Sequence, residues 1–245
     1  MNTPVMIQPN AGAPRPTGRL TGTVYLLYFL AAILGELLLK GIVVDGGAAA
    51  TATNILAHQS LFRLGLATGL ISTALYIAVT ALFYDLFKPV NRSISLLAAF
   101  FSLVGCAILA FSSLFQLAPL VVLGDSQYLS VFKVEQLRAL ALLFLDLNNQ
   151  AANIYLVIFG FYDLLIGYLI FRSTFLPRIL GALMALAGLG WLTFLSPAFA
   201  NHLSPYNLVL GFLAELSLML WLLVKGVNAQ RWKEQASATH KEVRV

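Results

Sequence analysis

Four charged residues lie inside long apolar stretches of this sequence: Glu36, Arg63, Asp163 and Glu215. A charged group that leaves water costs free energy unless it gains a hydrogen-bond partner or an opposite charge, or, for a carboxyl, takes up a proton. Charged groups within membranes therefore mark ligand or ion sites, or hydrogen-bond networks that join helices. The four residues predict either a polar interior that binds or moves a small ligand or proton, or a structural network.

The sequence offers no other catalytic, metal or cofactor chemistry. The three histidines, His58, His202 and His240, form no HExxH motif and no i, i+4 pair. The single cysteine, Cys106, excludes an internal disulfide and a Cys-based zinc site. Neither a glycine-rich phosphate loop nor a nucleophile elbow is found. We therefore predict no catalytic residue, no metal and no cofactor, and these gaps argue against an intramembrane enzyme.

The composition identifies the solvent that surrounds these charges. The chain has 245 residues, of which 60% are hydrophobic and 10% charged, whereas soluble domains have about 25% charged residues. This predicts an integral membrane protein whose partner is the lipid bilayer. The net charge of +5 comes from basic residues placed between apolar runs, so it does not indicate nucleic-acid binding. No feature of the sequence predicts an oligomeric state.

Six segments have the ~20 apolar residues that a helix needs to cross the hydrocarbon core. The predicted spans are residues 24–43, 61–87, 93–117, 151–171, 176–199 and 205–227. Residues 132–148, between spans three and four, are apolar but interrupted by charges. They predict either an interfacial helix on the outer side or an extension of span four. The predicted fold is an all-α transmembrane bundle of about six spans.

Lysine and arginine predict the orientation of the bundle. With a cytoplasmic N-terminus, eleven of the fifteen basic residues fall inside and four fall outside, namely Lys40, Arg63, Lys133 and Arg138. Both termini are therefore predicted to be cytoplasmic. The predicted organisation is a disordered arm at 1–19, one transmembrane helical domain at 20–227 and a basic cytoplasmic tail at 228–245.

Depth along the spans gives two further expectations. Arg63 lies about one turn inside the outer boundary and cannot lose its charge, so we expect it to pair with Glu36 on the preceding span. Asp163 and Glu215 lie near the middle of the membrane with no basic residue at their depth. We expect at least one of them to be protonated at pH 7, with Asn153, Tyr155 and Tyr162 as candidate hydrogen-bond partners.

Four stretches also resemble a known family. They are AATATNILAHQSLFRLG, KPVNRSISLLAAFF, GYLIFRSTFLPRILGALMALAGLGWL and ELSLMLWLLVKGV. They are similar to bacterial membrane proteins grouped as domain of unknown function 4386, and the resemblance runs from about Arg19 to Val227. It implies a bacterial inner-membrane protein of about six spans. It implies no activity, cofactor or site residue. The leading hypothesis is therefore a non-enzymatic membrane protein with a polar interior, and the alternative is a structural or regulatory module that packs against partners.

Overall fold

The computed structural model describes residues 17–242 and, of these, the side chains of residues 17–238. Six helices in this range are long and apolar enough to cross a membrane. Two shorter helices lie in the connections between them and a third follows the last one. There is no strand in the described residues, so the all-α bundle is confirmed. The helices are α1 (Gly18–Leu39), α2 (Ala48–Ala57), α3 (Gln59–Phe87), α4 (Arg92–Val122), α5 (Val134–Arg172), α6 (Arg178–Leu192), α7 (Pro197–Leu203), α8 (Tyr206–Val224) and α9 (Ala229–Glu242).

The six long helices pack as a closed ring in the order α1, α3, α4, α5, α6, α8 and back to α1. With six spans, the two described ends of the chain lie on the same side, which we call the terminal side. It carries α9 and the α3–α4 and α5–α6 connections. The opposite side carries α2, α7 and the long connection between α4 and α5. This arrangement encloses the side chains that point to the centre of the ring.

Glycines set the register of α5 against α6. A Cβ built at Gly160 or Gly188 would lie 2.9 or 2.7 Å from the carbonyl oxygen of the other residue. Gly167 and Gly181 are related in the same way, at 2.8 Å in both directions. Helices in membranes approach this closely only through small residues. The two pairs therefore fix an antiparallel register in which Gly160 lies level with Gly188.

The length of α5 shows whether residues 132–148 form an interfacial helix or an extension of span four, which the sequence left open. Helix α5 has 39 residues and is about 58 Å long, against about 30 Å for the hydrocarbon core. Most of the 132–148 stretch is therefore an extension of span four and not a separate interfacial helix. The extension is held on the opposite side by a second apolar cluster, formed by Ile42, Ile55, Phe62 and Leu145.

Span five is shorter than predicted. The predicted continuation to residue 199 is wrong, because α6 ends at Leu192 and a 3-10 turn, Thr193–Leu195, follows it. Ser196 is extended, with φ −124° and ψ 101°, as expected of a residue that precedes a proline. Pro197 then starts α7, so the chain turns along the opposite side before α8.

The structure describes parts of the two predicted terminal segments. Residues 1–16 of the predicted arm lie outside the described residues, and Gly18 and Arg19 already belong to α1. In the predicted tail, residues 229–242 form α9, which docks on the terminal side of the ring. Trp232 of α9 is buried, and its Nε1–H donates to the carbonyl oxygen of Leu86 at 2.9 Å. Most of the tail is therefore an ordered helix.

Candidate functional site

Two of the four predicted site residues, Asp163 and Glu215, point into the centre of the ring. Asp163 is 0% exposed and Glu215 is 8% exposed. Each lies nine residues before the terminal-side end of its helix, α5 or α8, which is about 14 Å along the axis. The two carboxyls are therefore at matching depth on two different helices.

Each carboxyl has one hydrogen-bond donor, and both donors are neutral. The Nε1–H of Trp191 donates to Oδ2 of Asp163 at 3.0 Å. The hydroxyl of Tyr25 donates to Oε2 of Glu215 at 3.0 Å. The remaining oxygen of Asp163, Oδ1, is buried without a partner. No lysine, arginine or histidine is among the buried residues of the described chain, so neither carboxyl has a buried cation beside it.

Tyrosine rings connect the surroundings of the two carboxyls. The Tyr25 ring lies edge-on to the Tyr76 ring with centroids 5.8 Å apart, and the Tyr76 and Tyr162 centroids are 6.2 Å apart. Tyr162 directly precedes Asp163 in the chain. The hydroxyls of Tyr76 and Tyr162 are buried without a hydrogen bond of good geometry. Such a hydroxyl costs about 1–3 kcal/mol, so phenylalanine would serve better if packing were the only role of these rings.

Gly211 provides the space that Trp191 occupies. A Cβ built at Gly211 would fall against the six-membered ring of the indole. Gly211 lies four residues before Glu215, so the indole meets α8 about 6 Å from Glu215 towards the opposite side. The register of α5 on α6 places Trp191 level with Val157, about 9 Å from Asp163 in the same direction. Trp191 therefore lies on the opposite side of both carboxyls.

The packing of α5 changes at this level. From Phe159 towards the terminal side, the inward residues Tyr162, Asp163, Ile166 and Ile170 are all buried. From 155 to 158, towards the opposite side, the residues are only partly buried. The tightly packed part of the interior around the carboxyls therefore ends where Trp191 lies, and the second apolar cluster lies further towards the opposite side.

The sequence was also compared with known proteins. Residues 20–226 match the family model described as "Domain of unknown function (DUF4386)". The chain belongs to the DUF4386 family. It is also 27% identical over 153 residues to a protein of Archaeoglobus fulgidus described as "Uncharacterized protein", and this covers 61% of the chain and 76% of that protein. No solved structure matches the chain. Because that relative is archaeal, similar proteins are not confined to bacteria, and a bacterial origin stays a prediction.

The other two predicted residues of the DUF4386 chain lie away from this centre. Glu36 and Arg63 are exposed and form no ion pair; in the described residues the ion pair is Lys88–Asp85, 2.6 Å long, near the terminal side. The expected pair fails because Gly35 and Gly65 form the α1–α3 contact. Each helix position is rotated by about 100° from the one before it. Glu36 is one position from Gly35 and Arg63 is two positions from Gly65, so the two charged side chains point away from the contact.

The expected partners on span four also differ from the observed ones. Asn153 donates to Oε1 of Gln150 at 3.4 Å and not to a carboxyl, and neither Tyr155 nor Tyr162 makes such a bond. The sequence reasoning missed the two donors that do, Trp191 and Tyr25. The available signal was a polar-tipped aromatic residue inside a predicted span, away from its ends.

Proposed function

We propose that this DUF4386 protein is a non-enzymatic membrane protein whose interior binds a proton at Asp163 and Glu215 and exchanges it with one side of the membrane. One observation carries the proposal: two buried carboxyls share a closed interior, each with a single neutral donor and with no buried cation in the described residues. Two negative charges there would be costly. A proton on one carboxyl removes a charge and supplies an O–H donor.

The packing favours a proton over a larger ligand. Asp163 is fully buried, Trp191 fills the space over Gly211, and the aromatic rings around Tyr76 are in mutual contact. A proton needs no cavity. The unpartnered hydroxyls of Tyr76 and Tyr162 can each donate and accept a hydrogen bond, so they are suited to pass a proton between the surroundings of the two carboxyls.

A structural role is the second candidate, and a specific observation favours it. Each carboxyl bond joins two helices of the ring: Asp163 of α5 to Trp191 of α6, and Glu215 of α8 to Tyr25 of α1. Interhelical hydrogen bonds of this kind stabilise membrane bundles by about 0.6 kcal/mol on average. In this case the protein is a structural or regulatory module, and the carboxyls need not change their protonation.

Proton uptake distinguishes the two candidates. The purified protein is titrated across neutrality in unbuffered detergent–lipid micelles that contain a pH-sensitive dye, and the protons bound per protein are counted. We expect the wild-type protein to take up a proton that Asp163→Asn or Glu215→Gln loses, since each substitution removes one carboxyl of the pair. Asp85→Asn, at an exposed carboxylate, is the matched control and keeps the uptake. If both interior substitutions leave the uptake unchanged, the proton-exchange proposal is wrong.

The placement in the cell is proposed on the basis of basic residues. We propose that the terminal side faces the cytoplasm of a bacterial cell and that the protein lies in its inner membrane, since eleven of fifteen lysines and arginines fall on that side. Reporter fusions after Val245 and within 124–130 measure this. A C-terminal reporter that is active only outside the cytoplasm would reverse the orientation.

A further inference from the structure

We propose that Trp191 is the gate between the carboxyl pair and the opposite side of the membrane, and that proton exchange requires its indole to leave the seat on Gly211. This inference rests on the proposed proton site, because Trp191 can control access only if Asp163 and Glu215 exchange a proton. It names the side from which Asp163 and Glu215 are reached and the residue that controls their access.

The position of the indole supports this role. Trp191 contacts both helices that carry the carboxyls: it donates to Asp163 on α5 and lies on Gly211 of α8. Its backbone lies about 9 Å from that of Asp163 along the helix axis, and its indole meets α8 about 6 Å from Glu215, in both cases towards the opposite side. Beyond it, residues 155–158 of α5 are only partly buried. A path from that side to the carboxyls therefore meets the indole at the boundary of the closed interior.

The terminal side offers no comparable path. Between Glu215 and the terminal end of α8, Leu218, Met219 and Leu222 are almost completely buried. At the end of the ring, Trp232 of α9 is buried as well and bonded to Leu86. Opening from this side would separate several apolar layers and displace α9, whereas next to the carboxyls the opposite side is closed by the indole, with the second apolar cluster further out.

The local backbone places Trp191 at a break in its helix. Helix α6 ends one residue later at Leu192, and the 3-10 turn Thr193–Leu195 follows. Beyond the break, the Nδ2 amide of Asn207 on α8 donates to Oγ1 of Thr193 at 3.2 Å and to the carbonyl oxygen of Ala200 at 3.3 Å. These two hydrogen bonds hold the segment after Trp191 to α8. The indole can therefore turn without unwinding the rest of α6.

The hydrogen bond of the indole gives the gate a link to the proton. An N–H bond to a carboxylate is roughly twice as strong as one to a neutral acid. Once the indole has moved aside, a proton from water on the opposite side binds to the unpartnered Oδ1 of Asp163, and Oδ2 then holds the returning Trp191 indole less tightly. The buried titratable groups around this step are Tyr25, Tyr76, Tyr162 and Glu215. Uptake of the proton therefore loosens the gate, and its release tightens it.

Chemical access tests the gate without requiring transport. Sealed vesicles of known orientation receive a water-soluble carbodiimide and an amine on one side only. The carboxyl proton moves to a carbodiimide nitrogen as the carboxyl oxygen bonds to its carbon. The amine then displaces a urea to leave an amide, which mass spectrometry locates at Asp163 or Glu215.

The variants are Trp191→Ala, which removes the indole, and Gly211→Ala, which displaces it. The control is Gly190→Ala, whose Cβ would lie 3.4 Å from the nearest atom, the carbonyl oxygen of Asn207.

We expect labelling from the opposite side to be at least about tenfold faster in both gate variants than in wild-type protein or the control, the factor that corresponds to loss of one hydrogen bond. Labelling from the terminal side stays slow in all four proteins. Unchanged labelling in Trp191→Ala overturns the gate, as does equal labelling from both sides, and this holds even where Gly211→Ala fails to fold. The proton-uptake result alone decides the proposed function, so the two can fail separately.

Discussion

The same substitution, tyrosine to phenylalanine, should have opposite effects on stability at different positions of the central cluster. Tyr25, Tyr76 and Tyr162 are all at most 2% exposed, so their rings are equally buried and the change removes one oxygen in each case. The Tyr25 hydroxyl has a partner, Glu215. The Tyr76 and Tyr162 hydroxyls make no hydrogen bond of good geometry, although they lie close enough to interact with each other. The sign of the effect therefore depends on the hydrogen bond alone.

The magnitudes follow from this difference. Tyr25→Phe removes an interhelical hydrogen bond, which in membrane proteins is worth about 0.6 kcal/mol on average and at most about 1.7 kcal/mol. It should lower the free energy of unfolding by this amount. Tyr76→Phe and Tyr162→Phe remove a buried hydroxyl that makes no hydrogen bond of good geometry, and each should raise the free energy of unfolding by about 1 kcal/mol.

Equilibrium unfolding in mixed detergent–lipid micelles, followed by far-ultraviolet circular dichroism, measures these changes. Tyr168→Phe is the control, since Tyr168 lies on the outer face of α5 and is 44% exposed; its effect should be close to zero. If Tyr76→Phe and Tyr162→Phe destabilise the protein as much as Tyr25→Phe does, both hydroxyls are hydrogen-bonded in the folded protein. The stability cost that we assign to the Tyr76 and Tyr162 hydroxyls would then not exist, and it would no longer support a role for them in proton transfer.

Three further predictions concern the packing of the ring and its surface. Gly188→Ala should lower the free energy of unfolding by about 1–3 kcal/mol through overpacking against α5, whereas Gly69→Ala, with no atom within 4 Å of the added Cβ, should be nearly neutral; thermal unfolding compares them. Trp232→Phe keeps an aromatic side chain but loses one hydrogen bond, worth about 1 kcal/mol. Protease should therefore cleave α9 faster, while the six long helices stay uncleaved. Arg63→Ala should be no more destabilising than Lys40→Ala, and each should change the free energy of unfolding by no more than about 0.5 kcal/mol, because both side chains are exposed. A clearly larger loss of stability for Arg63→Ala would show that Arg63 does pair with Glu36, as the sequence led us to expect.

The number and class of the spans were predictable because they depend on composition. A helix that crosses a bilayer needs a long apolar run, and such runs can be read directly from a sequence. The end of span five was not predictable in the same way. Residues 193–199 are apolar enough to continue the helix, but Pro197 forces Ser196 into an extended conformation. The order of α9 depends on the docking of Trp232, which is a tertiary contact.

The candidate site was predictable in part for a similar reason. Asp163 and Glu215 stand out because a buried carboxyl is costly wherever it lies in a span. Their partners depend on how each helix is rotated, and small residues set that rotation. Gly35 turns Glu36 away from α3, and Gly211 makes the space in which Trp191 reaches Asp163. No pattern of hydropathy contains this information, since it arises from pairs of residues on different helices.

Infrared difference spectroscopy of the protonated carboxyl C=O band tests the central claim most directly. Spectra of the protein in lipid are recorded as the pH is changed across neutrality, for the wild type and for Asp163→Asn and Glu215→Gln. We expect a C=O band at pH 7 that one of these substitutions removes, while Asp85→Asn leaves it unchanged. If both carboxyls are ionised at pH 7, with no band that either substitution removes, neither Asp163 nor Glu215 holds a proton and the proposed proton site is wrong.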